Sequence, residues 1–275
     1  MPELPEVETI VRELAPELEG YRVTRVRLLK TDVLRKVSKA RLLRTLTGNT
    51  FEEVSRRAKH AVFRLGSGHR LVVQPRMTGA LLIYDRTLSR ADTKYAVLIC
   101  TLDDGRLFVY RDVRRLGTVW LLDEAGWVAY TTRLGPEPLD ATFTPFALAD
   151  RLTGTRVAIK KAIMDQRRLA GVGNIYANEA LFQAGIDPSK PAAKLSLEEL
   201  ASLHTALVDV LERAVGSKGT TVRDYVTGRG ARGRFQFELK VYGRGGEPCV
   251  RCGRRLVTTH AIDRRATTLC AKCQR

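Results

Sequence analysis

The chain has 275 residues and 30.7 kDa, with 47 Lys plus Arg against 30 Asp plus Glu, a formal charge of +17 and a sequence pI near 10.1. This length points to about two domains, and 44% hydrophobic residues exclude a mainly disordered chain. So much positive charge calls for an anionic partner, and no apolar run approaches the roughly 20 residues of a membrane span, which leaves nucleic acid in front.

Val7, Ile10, Val11, Leu14 and Leu18 recur at helical spacing and predict a helix from about residue 6 to about residue 19, stopped by Gly20. From Tyr21 to Tyr130 the chain breaks into short runs rich in Val, Ile, Leu and Tyr, at 23–29, 61–65, 71–73, 79–84, 95–102, 107–110 and 118–122. Turn residues such as Gly66-Ser67-Gly68 and Asp103-Asp104-Gly105 separate them, so the region reads as antiparallel strands in a sandwich or flattened barrel. Two prolines and a glycine within Leu134–Leu139 place a hinge there, because neither helix nor central strand tolerates that composition. Helical patterns follow at 145–152, 159–168, 175–184 and 196–215, the last opened by a Ser196–Glu199 capping box. Residues 216–233, rich in Gly, Arg and Thr, read as a mobile loop.

Cys249-x2-Cys252 and Cys270-x2-Cys273 have the paired spacing of a four-cysteine zinc site, in which four thiolates close the coordination sphere and the metal is structural. The intervening 254–268 segment has the length of a β-hairpin with Arg264 and Arg265 at its tip. Cys100, alone in an apolar run, reads as a buried core thiol. Thiolate ligands and an acidic N-terminus unlike a secretory signal point to the cytosol. Gly171-Val172-Gly173-Asn174 opens a helix after a helix, a helix-turn-helix-like unit with Asn174 at the N-cap, suited to a phosphate backbone. Residues 217–275 hold 14 Lys or Arg against 4 Asp or Glu, more than half of the net charge. Pro2 becomes a secondary amine once Met1 is removed, able to attack a sugar C1′ and give an iminium ion, with the Glu3 carboxyl beside it for proton transfer.

Pro2-Glu3-Leu4-Pro5-Glu6-Val7-Glu8-Thr9, Arg76-Met77-Thr78-Gly79, Asp112-x-Arg114-Arg115, 134–139, Met164-Asp165-Gln166, 171–179, Val241-Tyr242-Gly243-Arg244 and the terminal four-cysteine finger together resemble the bacterial formamidopyrimidine-DNA glycosylases, of the formamidopyrimidine glycosylase and endonuclease VIII family. The resemblance runs in order from end to end. It implies an α+β multidomain fold: an N-terminal helix and antiparallel β-sandwich catalytic domain (1–134), a helical domain with a helix-two-turns-helix motif and lesion-capping loop (135–238), and a zinc finger (239–275). It also implies excision of oxidised purines such as 8-oxoguanine and formamidopyrimidines from double-stranded DNA, followed by strand cutting through β,δ-elimination, by a monomer with one structural Zn2+.

Carried over by position, the resemblance makes Pro2 the Schiff-base nucleophile, Glu3 the proton donor or shuttle, Lys59 a β-elimination and phosphate residue, and Arg265 the cation for δ-elimination. Asn174, Tyr242, Arg156 and Arg115 are implied DNA contacts. Met77, Arg114 and Leu116 fall where the family inserts side chains into the gap left by an extruded base, with Arg114 facing the orphaned partner. Thr221 and Tyr225 lie in the segment corresponding to the base-covering loop. The chain departs from the family at Gln74-Pro75, where His-Leu is usual, at Tyr95, where a DNA-contacting histidine is usual, at Leu116 in place of a wedge phenylalanine, and at Val113 in place of proline. Endonuclease VIII, which favours oxidised pyrimidines, is the nearest alternative, disfavoured by Leu4 and Met77-Thr78-Gly79. A non-catalytic zinc-finger DNA-binding protein is the alternative of another class.

Overall fold

A computed structural model describes residues 1–85 and 87–275. The chain divides into two compact units, Met1–Thr132 with Ser217–Gln236, and Arg133–Gly216 with Phe237–Arg275.

In the first unit the apolar stripe forms α1 (Leu4–Leu18), with Val7, Ile10, Leu14 and Leu18 fully buried. It begins two residues before the expected start because Pro5 tolerates the first turn, where N–H groups have no helical partner. The elements that follow are β1 (Val23–Leu28), α2 (Lys39–Leu46), β2 (Phe51–Arg57), β3 (His60–Leu65), β4 (Arg70–Gln74), β5 (Gly79–Tyr84), α3 (Arg90–Lys94), β6 (Ala96–Leu102), β7 (Leu107–Asp112), β8 (Thr118–Leu122) and α4 (Glu124–Thr131). Two antiparallel four-stranded sheets, β1-β6-β7-β5 and β2-β3-β4-β8, form a sandwich. Phe51 and Phe63 of one sheet meet Phe108 of the other with ring centroids 5.8 and 5.0 Å away, and α1 packs on β2 and β3. Cys100 is fully buried in this core, and the burial pushes its thiol pKa up to about 12.

Residues 217–236, which take in nearly all of the 216–233 stretch expected as a mobile loop, are docked on α1. Glu13 accepts from Lys218 Nζ and from the Arg229 amide, both at 3.0 Å, and Glu17 pairs with Arg229 at 2.7 Å. Tyr225 is 5% exposed within the sandwich core cluster. Gly233 is required by a close approach, since a Cβ there would lie 2.2 Å from the Gly219 carbonyl oxygen.

The second unit contains α5 (Pro145–Leu152), α6 (Ile159–Met164), α7 (Asn174–Ala184), α8 (Leu197–Gly216) and a terminal hairpin of β9 (Val257–Thr259) and β10 (Thr267–Leu269). The Ser196–Glu199 box opens α8, with the Ser196 amide donating to Glu199 at 2.8 Å and the Glu199 amide to Ser196 Oγ at 3.2 Å. The helix expected to reach residue 168 stops at Met164. Gln166 has replaced it with a turn, its side-chain amide donating to the Met164 and Val172 carbonyls while its Oε1 accepts from the Gly171 amide. Gly173, not Asn174, is the N-cap of α7; Asn174 is its first helical residue. No helix among the described residues is long and apolar enough to cross a membrane.

Candidate active site and nucleic-acid interface

In the first unit, Pro2 is buried and Glu3, 3% exposed, is the N-cap of α1. Glu6, three residues on and 1% exposed, accepts from the Glu3 amide at 2.7 Å and, through its other oxygen, from the Thr220 amide at 2.7 Å. A buried carboxylate so satisfied fixes the start of α1 against the 217–236 segment. Glu8 then joins α1 to the β2–β3 hairpin, accepting from Arg56 Nε and Arg12 Nε, both at 2.7 Å. Burial opposes ionisation of Glu8, but the two guanidinium groups prevail and hold its pKa below the usual range.

That hairpin carries Lys59, 5% exposed, in the two-residue turn after Ala58, whose φ of 53° is left-handed. Next to it, His60 Nδ1 lies 3.2 Å from the Arg57 carbonyl, and its Nε2 lies 2.8 Å from the Tyr130 hydroxyl. A carbonyl only accepts, so Nδ1 bears the proton and Nε2 receives Tyr130's. Burial above all pushes the His60 pKa down to about 4, with the charges of Lys59, Arg57 and Arg76 adding and the Arg57 carbonyl opposing.

Two loops at the ends of paired strands, 75–78 and 113–117, carry Met77 (44% exposed), Leu116 (39%) and Arg114. Arg114 Nη1 donates to Met77 Sδ at 3.6 Å, so a cation and a thioether share one surface. Arg115, with a φ of 52°, pairs instead with Asp32 at 3.1 Å. Tyr95, expected inside a strand, precedes β6 as the residue after α3; its ring is half-buried and lies 5.2 Å from Lys94 Nζ.

In the second unit, Asn174 Nδ2 donates to the Ala266 carbonyl at 3.1 Å, bringing the α7 N-terminus to the arginine tip of the finger hairpin. Arg265 is exposed, and its amide donates to Asp263 Oδ1 at 3.1 Å. Asp263 also meets Lys160 Nζ at 3.3 Å, a lysine with no exposed surface that donates to Thr267 Oγ1 at 2.7 Å. Arg265 borders a cleft of about 380 Å³ that also exposes Lys161 and Arg168. Arg156 is exposed just before α6. The Tyr242 amide donates to Glu179 Oε1 at 2.8 Å, and its side chain is half-buried. The anchoring roles of Glu6, His60, Lys160 and Glu179 escape a sequence reading because their partners lie far along the chain or on the backbone; the one available signal is a carboxylate amid apolar neighbours, as in Leu4-Pro5-Glu6-Val7.

The sulfurs of Cys249, Cys252, Cys270 and Cys273 all lie within 4.8 Å of one another, with Cys249–Cys273 at 3.9 Å and Cys252–Cys270 at 3.5 Å. Tetrahedral thiolates about 2.3 Å from one ion are about 3.8 Å apart, so the cluster has the dimensions of a four-thiolate metal site, while disulfide sulfurs would be about 2 Å apart. Arg251 locks the first knuckle to the end of α7, donating to the Phe182 and Gln183 carbonyls at 3.0 and 2.9 Å.

Family models of the formamidopyrimidine-DNA glycosylase N-terminal domain and H2TH domain match residues 1–119 and 134–226. The formamidopyrimidine-DNA glycosylase of Chloroflexus aurantiacus is 40% identical over 274 residues, spanning 100% of this chain and 98% of its own. Among solved structures, the Lactococcus lactis enzyme complexed with a DNA containing N7-benzyl-Fapy-dG is 32% identical with a TM-score of 0.89, covering 100% of both chains. The same enzyme with an abasic-site DNA is 31% identical, also with a TM-score of 0.89, covering 99% of both chains. With sandwich, helical motif and cysteine cluster all in place, the chain belongs to the formamidopyrimidine-DNA glycosylase family and is a base-excision repair glycosylase of damaged DNA.

Proposed function

We propose that this enzyme excises oxidised purines, 8-oxoguanine and formamidopyrimidines, from double-stranded DNA and then cuts the strand by β,δ-elimination. The observation that carries the reading is the Pro2-Glu3 pair buried at the head of α1, on the helix that Glu8 and Arg56 fasten to the Lys59 hairpin. After removal of Met1, the Pro2 nitrogen attacks C1′ of the extruded nucleotide. The glycosidic bond breaks and the base leaves with its electron pair; Glu3 then protonates the sugar ring oxygen, the C1′–O4′ bond opens, and the Pro2 nitrogen lone pair forms the C1′=N bond of an iminium ion. The resulting iminium ion acidifies the sugar, so a C2′ proton is lost and the 3′-phosphate departs, followed by the 5′-phosphate in a second elimination. Lys59 and Arg265 serve these two departures, since each leaving phosphate carries charge that a placed cation stabilises.

Asn174, Tyr242, Arg156, Arg115 and Tyr95 contact the DNA backbone and set its register without reading sequence. Met77, Arg114 and Leu116 fill the space the base vacates. Cys249, Cys252, Cys270 and Cys273 hold a Zn2+ whose contribution is structural, shaping the hairpin that carries Arg265.

Sodium borohydride in a reaction with an 8-oxoguanine duplex should reduce the iminium ion and yield a covalent protein–DNA adduct, which peptide mapping should place on the Pro2 nitrogen. Properly processed enzyme that gives no adduct would refute the nucleophile. Faster excision of thymine glycol than of 8-oxoguanine would refute the purine assignment.

A further inference from the structure

We infer that Asp112 is the positioning residue for Arg114 and its two apolar neighbours, and thereby sets how strongly excision depends on the base opposite the lesion; this rests on the proposed insertion of Met77, Arg114 and Leu116 into the duplex. Asp112 ends β7 and is 1% exposed. Its Oδ1 accepts from the Thr78 hydroxyl and from the Arg114 amide, the latter at 3.2 Å. Its Oδ2 accepts from the Tyr110 hydroxyl at 3.1 Å and the Gly117 amide at 2.8 Å. Four donors converge on one carboxylate, one from the 75–78 loop, two from the 113–117 loop and one from β7 itself. Thr78 Oγ1 also accepts from the Arg114 amide at 3.0 Å, so the two loops are linked directly as well as through Asp112.

The surroundings leave little room for an alternative arrangement. A Cβ on Gly117 would sit 1.9 Å from the Tyr110 hydroxyl and 2.7 Å from the Gln74 carbonyl oxygen. Arg76 and Arg115 both adopt left-handed φ, 48° and 52°, which non-glycine residues keep only where neighbouring structure imposes it. At position 113 a valine stands in the loop without the ring that would fix φ, so the hydrogen bonds to Asp112 do more of that work.

An arginine discriminates base edges by aiming a rigid fork of donors, and the aim is only as good as the anchoring of its main chain. Asp112→Asn keeps the shape but turns one acceptor oxygen into a donor; the hydroxyl beside it can turn to accept, but the backbone amide there, of Arg114 or of Gly117, loses its acceptor. Thr78→Val removes the hydroxyl at the loop tip, and Thr78→Ser retains it.

The test measures single-turnover kcat/KM of the full-length, zinc-loaded enzyme on four duplexes that pair 8-oxoguanine with C, A, G or T. A lowered folded fraction scales all four rates alike, so their spread reports positioning and not stability. Asp112→Asn and Thr78→Val should each compress the spread by about tenfold, equivalent to about 1.4 kcal/mol and comparable to the loss of one hydrogen bond to a charged group. Thr78→Ser should keep it, and Arg114→Ala should erase it. If Arg114→Ala erases the spread while Thr78→Val and Asp112→Asn leave it intact, Asp112 is not the positioning residue. If Arg114→Ala itself leaves the spread intact, the insertion reading falls, and this inference with it. Should Asp112→Asn fail to fold, the Thr78 pair alone decides.

Discussion

Glu179 offers the sharpest test of how the finger is fastened. It lies on α7, is 4% exposed, and accepts three successive backbone amides: Lys240 on Oε2 at 2.9 Å, and Val241 and Tyr242 on Oε1 at 3.0 and 2.8 Å. Glu179→Gln can keep both Oε1 bonds but sets an NH2 group against the Lys240 amide, so one charge-assisted bond is lost, about 1.5–3 kcal/mol. Glu179→Ala loses all three. Val241 has no exposed surface, so its amide cannot turn to water and costs about 1–3 kcal/mol by itself. Lys240 is exposed and Tyr242 half-buried, so their amides recover part of their loss, and the total is about 3–5 kcal/mol. For a unit of this size that lowers the melting temperature by roughly 10 °C or more. Both tryptophans, Trp120 and Trp127, lie in the first unit and report on it alone. The appropriate signal is therefore release of the finger's metal to a chromogenic chelator along a urea series. A graded loss, with Gln intermediate between wild type and Ala, is expected. An Ala variant shifted by less than about 1 kcal/mol, or a Gln variant as damaged as Ala, would refute the reasoning.

Three further outcomes are expected. Because burial lowers the His60 pKa to about 4 against an ordinary value of 6.5, the unfolded chain binds a proton between those pH values that the native state refuses. The corresponding stability, about 3 kcal/mol, is present above pH 6.5 and is lost as pH falls through about 4. The stability difference between wild type and His60→Gln, followed by urea unfolding from pH 8 to 4, should therefore shrink below pH 6.5; a constant difference would contradict the assignment. Chelating the metal should unfold the 249–273 finger and abolish DNA binding, because bonds from one ion to four sulfurs tie the two knuckles together and metal binding is coupled to local folding; metal-free protein that still binds DNA with full affinity would count against this. Arg265→Ala should weaken DNA binding and enrich the singly eliminated product on a sequencing gel, whereas an unchanged product ratio would remove Arg265 from the second elimination.

Local regularities made much of this molecule legible. The α1 stripe, the 145–152 helix and the paired cysteines each depend on spacings within about one element, and α5 spans the residues its pattern marked. β2 was missed because a register shift between Phe51 and Glu53 breaks the alternation, leaving only Phe51 and Val54 as buried residues. Its acids Glu52 and Glu53 face Arg64 across the strand pair, a pairing invisible before the strands are aligned. The 216–233 stretch reads as loose because its anchors, Glu6, Glu13 and Glu17, sit more than 200 residues earlier. The resemblance singled out Pro2, Glu3, Lys59, Arg114 and Arg265, but the anchoring part played by the buried carboxylates Glu6, Asp112 and Glu179 emerges only when amides converge on them.

The return of residues 217–236 to the first unit bears on how the chain matures. The ribosome releases α1 first and its last partners only after the whole of α5 to α8 has been made. Until then the 1% exposed Glu6 lacks the Thr220 amide, and the core cluster lacks Tyr225. Such late, long-range closure raises contact order and delays completion of the first unit. A gene fragment ending near Thr132 therefore encodes a sandwich whose Glu6 lacks the Thr220 amide and whose core lacks Tyr225, whereas supplying 217–236 through a short linker would restore these partners in cis.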